Sequence, residues 1–400
     1  MEKSSQKITP KFQNFTETFK FCAFGMALAN VYPNSNNIRE RLFIVVCIVM
    51  FCGVQLFWFS SYTVNCLLNL DIFNLSRNIT LWVIVLLYFF KTLYAIKYTE
   101  FYASILETIS NDNLKANNME EDYQQIYETY LKKSKTGEMV WLFLPIILSS
   151  QFPIIPAIMM IMENFKSDSP EKIMVHEMDM VYVEDIQYTS PFFEIYFAYN
   201  ITQCIFLSPI FTGFDGSFCI AANHLCLKLK LMAYKVRRAF VNSNNSVQLK
   251  MKIREAIIDH QEALKFYKTL SEFFGPWLLV LFLVASLSVS FSLYQIRVNI
   301  MMHEINPKYV IFMASCVIHI YVPCVYASNV TKVADEVALD LYCVPWESCP
   351  NHRIAKLLII MIARSQQSMI FCGKGLVNYN MGLFISLMQS AYSFYTLITS

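Results

Sequence analysis

The last fifteen residues, SLMQSAYSFYTLITS, hold side chains whose types and spacing could do chemistry. Wound as an α-helix at ~100° per residue, they bring Ser386, Gln389, Ser390, Ser393 and Ser400 onto one arc, with Leu397 among them. Leu387, Met388, Ala391, Tyr395 and Ile398 take the other side. Such a stripe has two chemical uses. Hydroxyls and an amide solvate a cation without a fixed charge that would hold it, and serines also let helices approach closely inside a bundle. No catalytic or metal constellation stands out elsewhere. Cys343, Cys349 and His352 are too loosely spaced for a metal and lack a fourth ligand. There is no phosphate loop and no nucleophile elbow. The chain is expected to be no enzyme and to need no cofactor.

Composition decides what kind of element positions that stripe. Apolar residues make up 56% of the 400 and aromatics 15%, while only 16% are charged. A soluble domain carries roughly 25% charged residues, and a soluble chain this apolar could not cover itself with polar surface. Lipid removes the difficulty, because it is the solvent for the outer face of a membrane protein. A formal charge of +2 gives no basis for a nucleic-acid partner, and none is expected. No cleavable signal is visible: Lys3, Lys7, Lys11, Lys20, Arg39 and Arg41 occupy the first stretch, and no apolar core precedes Leu42. The twelve cysteines fall mostly in apolar spans or beside basic segments, which predicts reduced, small apolar residues rather than a disulfide framework.

A spanning helix needs ~20 largely apolar residues. Seven windows qualify: 42–62, about 75–96, 139–162, 191–214, 273–296, about 309–328 and 376–400. The predicted fold is therefore an all-α membrane protein with seven transmembrane helices. Lys and Arg concentrate in alternate connections: the tail 1–41, and segments 97–138, 215–272 and 329–375. The other connections hold only Arg77, Lys166, Lys172, Arg297 and Lys308. The positive-inside bias places the N-terminus in the cytosol and the C-terminus outside. Asn74-Leu-Ser and Asn78-Ile-Thr fall near the first outer connection, close to the membrane for glycosylation, while Asn244 lies inside.

The cytosolic segments read as structure. In AIIDHQEALKFYKTL, Ile257, Leu264, Tyr267 and Leu270 recur at helical spacing, and residues 120–135 and 353–367 behave similarly. The domain plan follows: a cytosolic segment 1–41; spans one to six over 42–328, with helical extensions at 97–138 and 215–272 and an outer loop at 163–190; anchor helices at 329–375; and the final span at 376–400. The outer loop is acidic, and its MVHEMDMVYVED portion alternates like a strand, which suggests a lid.

Seven spans suggest a G-protein-coupled receptor, but the orientation is inverted for one. The third span ends without an Asp-Arg-Tyr-like triplet, no cysteine occurs in 163–190, and Asn306-Pro307 sits at an outer edge. A transporter would commonly show internal repeats or broken helices. No repeat is detectable, and Pro145, Pro153 and Pro156 in the third span are that reading's only support.

The local motifs resemble the insect odorant receptor family. Arg364-Ser365-Gln366, then Gly373-Lys374, then Ala391-Tyr392-Ser393-Phe394-Tyr395-Thr396-Leu397 is similar to that family's C-terminal signature, with Ala391 standing where its first serine would be. Asp340, Tyr342 and Pro345-Trp346-Glu347 resemble the tract before its last span. Ser190-Pro191-Phe192-Phe193-Glu194 with Tyr196 and Tyr199 resembles the start of its fourth. Phe214-Asp215, His224-Leu225, His260 and Phe266 continue the likeness, so it covers nearly the whole chain. The Thr-Tyr and Gln-Phe ending of the sister gustatory receptors is not found.

The resemblance implies a ligand-gated, nonselective cation channel in the plasma membrane of olfactory sensory neurons. It implies a tetramer built with a shared co-receptor around one central pore. The co-receptor's long insertion between spans four and five is lacking at 215–272, which implies the odorant-binding subunit. Four copies of the last helix would then turn Ser386, Gln389, Ser390 and Ser393 to water, and by carry-over Leu397 falls at the hydrophobic gate, where an apolar ring closes a pore by dewetting. A small volatile organic ligand is expected among aromatics and methionines in the outer halves of spans two to six. The candidates are Trp82, Phe152, Met159, Phe193, Tyr196, Phe197, Phe291, Tyr294, Phe312 and Met313. For any one of them, core or lipid contact is the commoner role. Among intramembrane polar groups, Lys91 is expected to snorkel to the inner end, Glu194 to sit in a first helical turn, and His319 to be a satisfied polar group.

Overall fold

The computed structural model describes residues 10–33, 38–165, 172–176, 178–243, 245–303, 307–347, 349 and 351–399. Lys3, Lys7, Lys166, Asn244, Asn306 and Ser400, which entered the charge, sequon and span readings, lie outside them.

The described chain is helical apart from loops and one short hairpin. The expected spans lie within longer helices: α3 (Ile38–Leu68), α4 (Ile72–Lys97), α6 (Glu121–Asn164), α7 (Phe192–Ile210), α9 (Ser246–Met301) and α10 (Pro307–Tyr342). Between them lie α5 (Thr99–Ala116) and α8 (Gly216–Val241), and α7 runs into α8 through a π-helical turn, Phe211–Asp215. Among the described residues, six helices are long and apolar enough to cross a membrane. The last expected span starts later than its apolar run. Cys372–Gly373 pairs antiparallel with Val377–Asn378, and α12 (Met381–Thr399) begins only after this hairpin. Its 19 residues reach ~28 Å, close to the ~30 Å hydrocarbon core. The three prolines of α6 do not break it, so the broken-helix sign of a transporter is absent there.

The helices converge in a half of the molecule here called the base. It gathers α5, α8, α11 (His352–Ser365) and the adjoining lengths of α6, α9 and α10. Every residue from Ile210 to Leu227 is buried, the mark of a helix enclosed on all sides. Trp141, Phe214, Phe218, Phe274 and Trp277 meet there, with Phe218 and Trp277 centroids 5.2 Å apart. On α9 the buried stripe is Ile253, Ala256, His260, Ala263 and Leu270. Of the face expected from sequence only Leu270 is fully enclosed; Ile257, Leu264 and Tyr267 flank it.

The segment before the first span is also folded into the base. α1 (Phe15–Thr18) and α2 (Lys20–Leu28) bury Phe12, Phe15, Phe19, Cys22 and Met26. Gly213 makes this contact close: a Cβ there would stand 2.6 Å from the Met26 backbone nitrogen. Glu138 caps α2 by accepting from the N–H groups of Phe21 and Cys22 at 2.9 and 3.0 Å. On the base, Asp112 of α5 accepts from Lys228 at 2.7 Å and pairs with His224 at 3.0 Å. Burial opposes the Asp112 charge, but the His224 hydrogen bond and the neighbouring Lys228 ammonium hold its carboxyl well below the usual carboxylate range.

At the opposite end, the described part of the acidic loop closes over the bundle as turns, and its strand-like alternation forms no strand. Met174, Val175, Met178 and Met180 are buried beneath it. The Gln187 amide fixes the turn, accepting from Met180 N–H and donating to the Met178 carbonyl. The apparent alternation is a series of side chains dipping into the bundle. All twelve cysteines are free. Asn78 of the second sequon is buried and donates to the Phe59 carbonyl, which leaves no room for a glycan.

Candidate functional site

α12 turns one face to the protein. Leu387 and Ala391 are buried, and Phe394 meets Phe291 of α9 edge-on at 5.8 Å. Arg297 donates to the Tyr395 hydroxyl at 3.3 Å. Ser386, Gln389, Ser390 and Ser393 lie on the face the chain leaves exposed, and Leu397 is 71% exposed. Ser390 Oγ donates to the Ser386 carbonyl at 2.8 Å, and Ser393 Oγ to that of Gln389 at 3.0 Å. These bonds occupy the hydroxyl protons, so the oxygen lone pairs face outward. Ser390 and Ser393 are thereby left as acceptors, which is what a cation needs.

A second feature is an apolar cavity of about 70 Å³ in the half away from the base. Its walls come from α3 (Phe59), α4 (Ile84, Val85), α6 (Leu148, Phe152) and α7 (Leu207), and His176 of the loop and Gln203 supply polar edges. Of the ten ligand candidates, Phe152 lines it directly. Phe312 packs edge-on against Phe152 at 6.0 Å, and Phe197 joins the same cluster. Phe193 and Tyr196 are buried in a neighbouring cluster that Trp82 and Phe197 border. Tyr196 donates to Gln55 at 2.6 Å, and Trp82 Nε1 to Ser60 at 3.3 Å. Phe291 faces α12, Tyr294 and Met313 are half-buried, and Met159 is exposed. Reading for aromatics and methionines passed over Phe59, Leu148, His176 and Gln203. The signal for His176 and Gln203 was polarity within apolar runs.

The third feature lies where the π-helical turn joins α8. Lys91 and Asp215 are both fully buried and 2.7 Å apart. The ammonium stands 3.9 Å from the centre of the Phe211 ring. His319 Nε2 lies 3.0 Å from the same carboxylate oxygen. Lys91 therefore does not snorkel, because a carboxylate waits one side chain away and pairing avoids the cost of an isolated buried charge. His319 is satisfied, as expected. Asp215 could be inferred as the partner, since an intramembrane lysine demands an acid and Asp215 ends the fourth span. Glu194, in the first turn of α7, pairs at the surface with Lys172 at 3.0 Å. Among the described residues no His, Cys, Asp and Glu group could hold a metal ion.

The match to the family described as 7tm Odorant receptor runs over residues 42–392. The chain belongs to the insect odorant receptor family. Family membership makes it a membrane receptor rather than an enzyme. Among curated relatives, odorant receptor 94a of Drosophila melanogaster is 23% identical over 188 residues, 46% of this chain and 48% of the relative. Odorant receptor 33a of the same fly is 25% identical over 227 residues, 54% of this chain and 57% of the relative. The chain thus spans about half the length of the curated relatives it matches. The fold is similar to that of insect olfactory receptor OR5 from Machilis hrabei in complex with eugenol. That likeness has a TM-score of 0.77 at 12% identity and covers 96% of this chain and 98% of the other. A second structure of OR5 from Machilis hrabei gives a TM-score of 0.75 at 14% identity, covering 96% of this chain and 97% of the other.

Proposed function

We propose that this odorant receptor is the odorant-binding subunit of a ligand-gated, nonselective cation channel, working with a shared co-receptor in a tetramer. The observation that carries the reading is the face of α12. A helix as apolar as this one leaves Ser386, Gln389, Ser390 and Ser393 exposed, with the hydroxyl protons of Ser390 and Ser393 turned back to the backbone, and buries Leu387 and Ala391 instead. Around a symmetry axis that face becomes a hydrated wall, and Leu397 an apolar constriction near its end. The short link between α8 and α9, residues 242–245, supports the odorant-binding role over the co-receptor role. The Lys and Arg excess at the base supports a cytosolic base and an outward C-terminus. The apolar cavity takes a small volatile organic molecule, and its modest volume means that bound ligand displaces side chains around Phe152. Apolar burial at ~25 cal/mol per Å² supplies affinity, and His176 or Gln203 gives direction.

The test is current recorded from cells co-expressing this chain and the co-receptor. Leu397→Ala should leak without ligand, or respond at lower ligand concentration, at unchanged surface delivery. A Leu397→Ala pair that reaches the surface and behaves as wild type removes the gate, and with it the α12 pore.

A further inference from the structure

Beneath the cavity already described lies a second one, of about 30 Å³. The two are neighbours through shared walls: Ile84, Pro145, Leu148 and Phe211 line both. The upper chamber is lined mainly by apolar side chains such as Phe59 and Leu207, with Ser149, His176, Gln203 and Ser208 as its polar groups. The lower one is apolar along α9, at Leu281 and Ala285, but also holds Ser288, Ser315 and His319. The walls the two share, Ile84, Pro145, Leu148 and Phe211, are hydrocarbon.

His319 sets the polarity of that end. Its Nε2 faces the Asp215 carboxylate at 3.0 Å, and an acceptor-only carboxylate requires a donor there. Lys91 already neutralises Asp215, so a neutral imidazole completes the cluster. In a neutral ring whose Nε2 donates, Nδ1 is an acceptor. The Ser315 hydroxyl proton is committed to the Ile311 carbonyl at 2.9 Å, which leaves its oxygen as an acceptor too. With Ser315 and His319, two of its three polar groups, left to accept, the lower chamber favours a donor.

We propose that the ligand of this chain is an elongated aliphatic alcohol that threads both chambers, its hydroxyl donating in the lower one at His319 or Ser315 and its tail filling the upper one. This rests on the odorant-gated channel reading and names the ligand class for it. Phe211 and Leu148 are the partition that such a chain pushes aside. Because Phe211 also covers Lys91, the occupied path touches the buried ion cluster directly, and Leu281 and Ala285 belong to the helix that packs on α12.

The experiment applies straight-chain primary alcohols from butanol to dodecanol, each beside its methyl ether, to cells co-expressing the chain and the co-receptor. Potency should rise roughly fourfold per methylene, the transfer free energy of one CH₂, until both chambers are full. Each ether should be roughly tenfold weaker than its alcohol, because it cannot donate. Ala285→Leu fills the lower chamber alone, where the hydroxyl of every alcohol is seated, so it should weaken all chain lengths by about tenfold and erase the advantage of alcohol over ether. Ser315→Val repeats the test from the facing helix if Ala285→Leu fails to reach the surface. Ethers as potent as alcohols, or an alcohol-over-ether advantage that survives the substitution in the lower chamber, overturn the proposal. So does silence to the whole series from a pair whose Leu397→Ala form leaks, a result that leaves the channel reading standing. Absence of current from surface-delivered Leu397→Ala as well brings down the channel reading itself.

Discussion

The base and the opposite half of this receptor are packed on different principles. In the base one continuous apolar cluster runs from α1 to α11, and in the α7–α8 rod 67% of the most apolar stretch is buried. In the other half the core divides into two small clusters, one around Phe59 and Tyr196 and one around Phe152 and Phe312, with the upper cavity between them. There α3 buries only 22% of its most apolar stretch. A close-packed interior resists any change in volume, whereas a divided one repacks locally. The difference teaches where shape can vary: the divided half can repack around the ligand proposed for it, while the solid base would shift as a unit.

The contrast is broken most directly at its junction. Asp215→Ala strands Lys91 in the interior and should cost about 3–5 kcal/mol, read as lost surface delivery and a lower melting temperature of the detergent-solubilised protein. Lys91→Met combined with Asp215→Leu should recover most of that loss, since an apolar replacement of both partners leaves no orphaned charge. Next in size is Gly213→Ala. Its new Cβ would stand 2.6 Å from one Met26 backbone atom and 2.8 Å from another, neither of which can swing away, so about 1–3 kcal/mol is expected from overpacking. The smallest effect on stability should come from Leu81→Ala on the wall of the upper cavity. It should cost below about 2 kcal/mol, because Leu81 is only half-buried, while clearly shifting ligand potency. Equal losses for Leu81→Ala and Gly213→Ala would show that the two halves are packed alike after all.

Much of this architecture was legible in the chain. Uncharged runs such as 42–62 leave no alternative to a helix in lipid, and the Lys and Arg pattern marked the segments that assemble the base. The arc on α12 was legible because period 3.6 acts on a stretch with few polar residues. What escaped was whatever depends on tertiary partners. Phe12, Phe15, Phe19, Cys22 and Met26 have the spacing of a buried helical stripe, yet it is too short to stand out beside spans of twenty residues. Lys91 was misjudged because local sequence reports distance to the helix end, not the carboxylate brought in from α7–α8. The methionines of the acidic loop mimicked a strand because alternation does not distinguish a ladder from turns that dip into a bundle. The cavity wall was read mainly as aromatic, although half of it is aliphatic, since size draws attention that shape complementarity does not require.

One last feature bears on how a small molecule could be felt far from where it rests. α9 is a single helix of 56 residues, ~84 Å of stiff rod. From Pro276, inside it, to its far end is ~38 Å. Pivoting by ~5° there sweeps the tip sideways by ~3 Å, about the width of a water molecule. A lever of that length converts a nudge against Ala285 into a displacement large enough to wet or dry a narrow constriction.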